Sequence, residues 1–486
     1  MLKASSSDTI SLVMTKFYIT SAIPYVNARP HIGHALEFLQ ADTVARFHKL
    51  LGDDVLFLCG SDENAIKNVQ AAEKAGQPIQ EFIDENAQYF EELAKELNVE
   101  FNIFQKGSSE NHKIASQKLW ELCDKNGDIY KKAYKGLYCV GCEEFKSPSD
   151  LNEKGECNEH PGKPLEEIEE ENYFFKLSNY QDQLLKLIES GQYKITPEFR
   201  KNEIVSFIKS GLQDFSISRS NERAKNWGVP VPNDPRQRIY VWFDALNIYQ
   251  SGIGFATDNE KYEKWWPADL HVVGKGIIRF HAVYWPAILL SAGLKLPKQL
   301  LVHEYFTVNG QKMSKSIGNV VNPLDITVKY GTDALRYYCL AKISPFQDGD
   351  FSEEKLKEVY NSDLANGLGN LIARVAKLAE KHGLSGQAAT NQTLNLQVKD
   401  SLIEFKFNDA LGTIWELITK ANQQINTTKP WELEGEEAKD VLTDLCNQIL
   451  TISYNLQPFL PTTAEKILQQ FSGEIKSSTP LFPRLV

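Results

Sequence analysis

The chain has 486 residues, of which 42% are hydrophobic and 24% charged, with a formal net charge of −11. That length supports several cores and predicts roughly two to four domains, and the acidic balance excludes a general attraction to nucleic acid, leaving room only for a local basic face. No stretch approaches about eighteen consecutive apolar residues, so a membrane span is excluded, and seven cysteines are too few for a disulfide scaffold.

The N-terminal MLKASSSDTISLV has neither the apolar core of a secretion signal nor the Arg-rich pattern of a transit peptide. Residues 1–14 read as a disordered tail, and Met14 is a second candidate start. Cys59, Cys123, Cys339 and Cys446 stand singly in apolar surroundings. They predict buried thiols and, with them, a reducing, cytoplasmic location.

Phe17-Tyr18-Ile19 is a β-leaning run that passes through a Pro-containing turn into His31-Ile32-Gly33-His34, where a helical period begins. Leu36, Leu39, Val44, Phe47 and Leu51 share one face of that amphipathic helix. Two imidazoles three residues apart lie on one helix face, and Gly33 between them lets a ring or a phosphate approach the backbone. A strand running into a helix start is also how an α/β sheet presents a phosphate site. Two readings stay open at this point: one capping and one packed histidine, or a phosphate site.

Val55 to Cys59 is a second strand, ending in Gly60-Ser61-Asp62-Glu63 and completing a βαβ unit. Asp62 stands just past the strand end, where it either faces a ligand crevice or caps a helix. Helices follow over 78–97 and 109–126. From Tyr130 to Tyr173 the texture changes to short strands and turns around Cys139, Cys142, Cys157 and His160. Two close pairs on tight turns converge as a zinc knuckle does; three thiolates and an imidazole leave no open position, so the role expected is structural, with disulfides the weaker alternative.

Helices are expected over 181–190 and 197–211, Trp227 to Pro232 reads as a rigid extended turn, and Ile239 to Asp244 reads as a strand. Leu270 to Gly276 is a further strand, followed by a helix over 277–292 and a strand over 300–303, so the sheet resumes after an insertion. The loop from Thr307 to Asn319 sets Lys312, Ser314, Lys315 and Ser316 between glycines, a composition that suits either a transient grip on a polyphosphate or a plain surface loop. Helical spacing then recurs over 352–361, 366–382, 394–426, 436–455 and 462–471. The expected fold is an α/β Rossmann-like parallel sheet (15–128 and 238–325) split by a zinc-knuckle insertion (129–237), then a junction (326–352) and a C-terminal α-helical bundle (353–486).

The ordered pair His31-Ile32-Gly33-His34 and Lys312-Met313-Ser314-Lys315-Ser316, set in opposite halves of one split sheet, resembles the HIGH and KMSKS motifs of class I aminoacyl-tRNA synthetases. The resemblance covers essentially residues 15 to 486. Within that class Ala22-Ile23-Pro24-Tyr25-Val26-Asn27, Tyr240 to Ala245, and Gly274-Lys275 through His281 are similar to the methionyl-tRNA synthetase family. It implies an ATP-dependent ligase that joins L-methionine to its cognate tRNA through a methionyl-adenylate.

By position the resemblance implies that His31, Gly33, His34, Lys312 and Lys315 serve catalysis, and that Ser314 joins His31, His34, Lys312 and Lys315 on ATP. Ile23, Tyr25, Trp242, Ala245, Tyr249, Ile277 and His281 would enclose the methionine side chain, a soft thioether suited to aromatic and aliphatic walls, with Asp62 on its ammonium. It also implies Cys139, Cys142, Cys157 and His160 on one structural Zn²⁺, Mg²⁺ accompanying ATP, and Asn370, Arg374 and Trp431 on the tRNA anticodon. Two positions depart from the family pattern: Gly276 stands where an Asp is usual, and Asn64-Ala65 where His-Gly is usual. A synthetase for leucine, isoleucine or valine would need an editing domain larger than this insertion of about 110 residues. A monomer is expected, since the chain ends without a further C-terminal tRNA-binding domain.

Overall fold

The computed structural model describes residues 15–142, 144–146, 150–313, 318–386 and 392–485, with the backbone alone for Glu144 and Lys312. β1 (Lys16–Ser21) and β2 (Asp54–Ser61) are runs of apolar residues buried on both faces, the condition that favours a parallel sheet covered by helices. With β3 (Ile103–Lys106), β7 (Lys194–Thr196), β8 (Leu270–Gly274) and β9 (Gln299–His303) they form a six-stranded sheet ordered β3-β2-β1-β8-β9-β7, every neighbouring pair parallel. The order reverses between β1 and β8, so the ligand crevice of such a sheet lies at the carboxyl ends of those two strands. The helices of the first half are α1 (Ile32–Leu50), α2 (Ile66–Ala75), α3 (Ile79–Glu96) and α4 (Glu110–Lys125).

The insertion is built on an antiparallel pair, β4 (Ile129–Cys139) with β6 (Glu166–Phe175), and β5 (Glu144–Lys146) adds to the far end of β4. It also carries α5 (Gln181–Glu189) and α6 (Glu198–Lys209). The sequence reading placed all of 129–237 outside the sheet, but β7 pairs Thr196 with Leu301 inside it. Three residues are too short a run to leave a periodic signal.

A second difference concerns Ile239 to Asp244. The strand there is Asp234–Ile239, and Val241–Ala245 is a short helix, α7, followed by α8 (Ile248–Ser251). All five residues of α7 are buried, and an apolar run without alternation does not separate strand from helix. The helix expected over 277–292 is continuous in path but includes a π-helical turn at Phe280–Tyr284 before α9 (Trp285–Ser291).

Beyond β9 come β10 (Phe306–Val308), β11 (Gln311–Lys312) and β12 (Gly349–Phe351), which form a small sheet around the lysine–serine loop, with α10 (Pro323–Tyr330) and α11 (Thr332–Ala341). The bundle is α12 (Glu353–Val359), which runs through a π-helical stretch at Tyr360–Gly369 into α13 (Asn370–Lys381), then α14 (Leu396–Ile403), α15 (Phe407–Thr428), α16 (Gly435–Leu456) and α17 (Pro461–Gln470). The predicted helix 394–426 breaks at Phe405, whose φ of 59° lies in the left-handed region.

One apolar cluster runs from α1, α3 and one face of the sheet through α11 into the bundle; a second covers the opposite face with α4, the insertion and α7–α9. Fully buried Arg336 of α11 crosses the seam of the first cluster. It donates to Asp42 Oδ2 of α1 at 2.7 Å, to the Leu97 carbonyl at 3.0 Å and to the Phe459 carbonyl at 2.7 Å. Breaking such a buried pair leaves an uncompensated charge, so this contact holds the sheet-bearing half and the bundle in one arrangement.

Candidate active site, metal centre and nucleic-acid face

α1 begins with the histidine pair. His31 is the N-cap: its Nδ1 accepts from the Gly33 amide at 3.1 Å, while Nδ1 of His34 accepts from the His31 amide at 3.1 Å. The two imidazoles therefore build a capping box, satisfying two of the helix's orphan donors. Their rings stack with centroids 3.9 Å apart, and the His34 ring meets Phe90 edge-on at 5.1 Å. Burial, and then the neighbouring His31, hold the His34 pKa well below the ordinary histidine value. A neutral ring whose Nδ1 accepts carries its proton on Nε2. The capping reading and the phosphate reading are thus compatible: Nδ1 builds the helix start and Nε2–H remains a donor of the ring.

Gly33 permits this geometry. A Cβ there would lie 3.0 Å from His31 Cε1 and 3.5 Å from Met313 Cε. The start of the lysine–serine loop therefore packs over the histidine turn, and the Ile32 amide donates to the Val321 carbonyl just beyond that loop at 3.1 Å. Backbone pairing of Lys312 with Thr307 fixes the entry to the loop; Ser314 and Lys315 lie outside the described residues.

The expected methionine pocket divides into two linked walls. Tyr25 meets Trp242 edge-on at 6.2 Å, and Trp242 stacks on Phe280 at 3.7 Å. On the other wall His281 Nδ1 donates to the Ile277 carbonyl at 3.0 Å, leaving Nε2 to accept from the Tyr249 hydroxyl at 2.8 Å. Burial lowers the His281 pKa to about 4, so that tautomer is neutral. Ala245 is buried in the same apolar cluster, with Ile23 and Ile277 packed against it. Asp62 is 3% exposed and bridges Tyr25 through the backbone. His271, fully buried, adds a third ring 4.4 Å from Tyr249.

Several supporting residues left no mark in the sequence reading. Glu37, on the buried side of α1, accepts from the Ala22 amide at 2.8 Å and pairs with His303 Nε2 at 2.9 Å, pinning the lead-in turn to the end of β9. A carboxylate within an apolar helix face was the available signal. Phe280 and His271 are buried residues that no motif singled out. The two departures have structural partners: Asn64 donates to Asp244 Oδ2 at 2.6 Å and to the Gly107 carbonyl at 2.8 Å, and a side chain at Gly276 would collide with the Tyr305 hydroxyl.

Cys139, Cys142, Cys157 and His160 converge, their ligand atoms all within 4.8 Å of one another. Cys142 Sγ lies 3.5 Å from Cys157 Sγ and 3.3 Å from His160 Nδ1, and Cys139 Sγ lies 3.7 Å from the same nitrogen. Tetrahedral zinc with Zn–S bonds of about 2.3 Å sets ligand–ligand edges of roughly 3.5–3.8 Å, so the four residues fit that ion. Lys67 connects this knuckle to the pocket: its Nζ reaches the Gly141 carbonyl at 3.5 Å and sits 3.4 Å over the Tyr25 ring.

In the bundle, Asn370 and Arg374 line a groove of about 450 Å³ with Trp415, Asn422 and Asn426. The Arg374 guanidinium donates to Asn426 Oδ1 at 2.9 Å and lies 5.6 Å from the ring centre of Trp431, which is 43% exposed. The four single cysteines are buried as expected, and among the described residues no helix is long and apolar enough to cross a membrane.

A parallel sheet split by an insertion whose Cys/His cluster could hold a metal ion, a helix opened by a histidine pair and a helical bundle with an exposed tryptophan define a class I aminoacyl-tRNA synthetase. The family model described as tRNA synthetases class I (M) matches residues 17–376. Curated relatives named methionine–tRNA ligase share 42% identity in Thermotoga maritima, over 95% of this chain and 76% of that protein, and 42% in Nostoc sp., over 96% and 92%. The solved Mycobacterium tuberculosis methionyl-tRNA synthetase in complex with methionyl-adenylate superposes with a TM-score of 0.89 at 36% identity, covering 97% of this chain and all of that one. The chain belongs to the methionyl-tRNA synthetases.

Proposed function

We propose a division of labour among these residues for the family's reaction, the ATP-dependent ligation of L-methionine to tRNA through methionyl-adenylate. The observation that carries it is the histidine capping box. Both Nδ1 atoms accept from backbone amides, so each ring carries its proton on Nε2 at the N-terminus of α1, where the helix dipole also favours anions. In the first step the methionine carboxylate, already ionised, attacks the α-phosphorus and pyrophosphate leaves. No side chain has to supply a nucleophile or a base.

Catalysis is then positioning and charge stabilisation. His31 and His34 hold the phosphates, Ser314 joins them on ATP, and Lys312 and Lys315 neutralise the departing pyrophosphate. Mg²⁺, bound with ATP, would supply further neutralisation of the phosphate oxygens. Asp62 holds the methionine ammonium while Tyr25, Trp242, Tyr249 and His281 enclose the thioether, with Ile23, Ala245 and Ile277 filling the pocket. Asn370, Arg374 and Trp431 read the anticodon loop, an indole stacking on an unpaired base between amide and guanidinium donors. Cys139, Cys142, Cys157 and His160 would hold one Zn²⁺, which would keep the insertion in shape. A cytoplasmic monomer is part of the same reading.

The test is ATP–pyrophosphate exchange stimulated by each amino acid in turn. Exchange with methionine alone is the expected result, and no exchange with any amino acid overturns the reading.

A further inference from the structure

Between the insertion and the sheet edge lies a small cavity of about 40 Å³ walled by three arginines, Arg219, Arg223 and Arg238. Its remaining walls include Tyr138, Trp227 and Asn64. Arg219 is 8% exposed; its Nη1 is held by Ser216 Oγ at 2.9 Å and the Ser218 carbonyl at 2.7 Å, but its buried Nε has no hydrogen-bond partner. Among the described residues Arg238 donates to the Pro235 and Gln237 carbonyls, at 3.2 and 3.4 Å, and its Nε is likewise buried without a partner there. Arg223 has Glu166 and Glu170 no closer than 3.8 and 3.9 Å.

Among the described residues the three guanidinium groups share a cavity with two carboxylates at its margin, Glu166 and Glu170, both near the limit of ion-pair distance. Burial, together with the charge of Arg219, pulls Arg223 below the ordinary arginine value, and burial does the same to Arg238. Part of the positive charge is spread over aromatic faces: Arg223 sits 3.9 Å over Tyr138 and Arg219 4.4 Å over Tyr240. Aromatic contact does not satisfy an N–H donor, and unpaired buried charge is costly. About 10–15 Å³ admits one water-sized sphere, so this volume takes roughly three, the bulk of one tetrahedral oxyanion.

We propose that this cavity is a phosphate site for the 3′-terminal strand of the tRNA, with Arg223 and Arg238 gripping one phosphodiester and Arg219 behind them. The inference rests on reading the chain as a tRNA ligase. Asn64 stands two residues from Asp62, and the wall residue Val241 adjoins Trp242, so the cavity abuts the pocket that the terminal adenosine must reach. Trp227 braces that junction by donating Nε1–H to the Glu63 carbonyl at 2.8 Å. The phosphates of ATP are assigned to the start of α1, which leaves the nucleic-acid backbone as the anion for this cavity. Guanidinium forks match a phosphodiester, and the aromatic walls suit a single strand.

The experiment uses the full-length enzyme and the variants Arg238→Gln, Arg223→Gln and Arg238→Lys. ATP–pyrophosphate exchange needs no tRNA and is expected to stay within about twofold of wild type, whereas the aminoacylation KM for tRNA rises about tenfold in each Gln variant. The slope of log KM against log salt should fall by about 0.7–0.9 for each Gln substitution, the signature of one lost phosphate contact on a single strand or duplex, and Arg238→Lys should keep the wild-type slope. Should a Gln variant not fold, Arg238→Lys still decides, because loss of the fork with the charge retained must raise the KM for tRNA without changing the slope.

An unchanged KM and slope, with Trp431→Ala still raising the KM for tRNA, overturns the phosphate site and leaves the anticodon reading standing. A fall in pyrophosphate exchange without a tRNA effect overturns it too, and reassigns the cavity to a free anion of the first step. If Trp431→Ala, Arg374→Ala and the arginine variants all leave the KM for tRNA unchanged, the tRNA reading itself fails and takes this site with it.

Discussion

The amide of Ile32 donates to the carbonyl of Val321 at 3.1 Å, tying the first turn of α1 to the chain just beyond the lysine–serine loop. Two segments almost 300 residues apart in sequence thus meet at one backbone hydrogen bond, with Met313 Cε over Gly33 beside it. Met313 and Val321, which flank that loop, form one packed unit with the histidine turn.

Gly33→Ala tests that unit. The new methyl would press on the His31 ring from 3.0 Å and meet Met313. Misplacing a positioning group by a fraction of an ångström should slow adenylate formation by on the order of 10²-fold while equilibrium methionine affinity stays within about twofold. Single-turnover rates and methionine titration measure the two quantities, and an unchanged rate would remove His31 from the phosphates.

Asp62→Asn keeps the size of a 3%-exposed side chain and removes its charge. Loss of a charge-assisted hydrogen bond of about 1.5–3 kcal/mol should raise the methionine KM roughly 10- to 100-fold and leave the KM for ATP almost unaltered. Equal changes in both would assign Asp62 to the scaffold.

His281 supplies a pH dependence of stability. Its folded pKa, lowered by burial to about 4, lies below the unfolded value near 6.5, so the unfolded chain binds more protons between those limits. The contribution is complete above about pH 6.5 and is lost as pH falls toward 4, by on the order of 3 kcal/mol in all. His303 works in the opposite direction: burial alone would lower it, but Glu37 raises its pKa, so its contribution is lost as pH rises through that value. Chemical denaturation from pH 4 to 8 should show a shallower acid limb in His281→Gln than in wild type; parallel curves would refute the assignment.

Removing the knuckle metal should act on methionine at a distance. Lys67 joins the Gly141 carbonyl to the face of Tyr25, so collapse of the knuckle slackens one wall of the pocket. Cys157→Ser is expected to lower bound zinc from one per chain to well below that value and to raise the methionine KM several-fold, roughly 1 kcal/mol. Metal analysis with steady-state kinetics decides, and wild-type protein purified without zinc would dispose of the site.

Trp431→Ala should cost about 1–3 kcal/mol of tRNA binding, seen as a KM for tRNA raised some 5- to 100-fold, with ATP–pyrophosphate exchange untouched. A KM indifferent to this change would move anticodon recognition elsewhere on the bundle.

Much of this architecture was readable residue by residue. Spacing alone gave the knuckle, because two Cys/His pairs on tight turns have few other uses, and periodicity gave the long helices. Val241 to Ala245, a helix that reads as a strand, lacked any such signal: burial on every side erases the 3.6-residue period that marks a helix. The three-residue strand Lys194–Thr196 was invisible because its place in the sheet depends on Gln299–Leu301, about a hundred residues away. The same holds for Glu37 with His303 and Asn64 with Asp244, pairs chosen by tertiary contact. His31 and His34 were legible as a motif, but only coordinates show that one nitrogen of each ring is spent on starting the helix.

Arg336 gives the molecule a fixed gauge. Because its guanidinium fastens Asp42, Leu97 and Phe459 together within one apolar cluster, the span from Trp431 to His34 is set by the protein alone. On the roles proposed above for Trp431 and His34, an RNA would satisfy both ends only if its own two arms reached that span, a screen by length and bend that would act before any base is read.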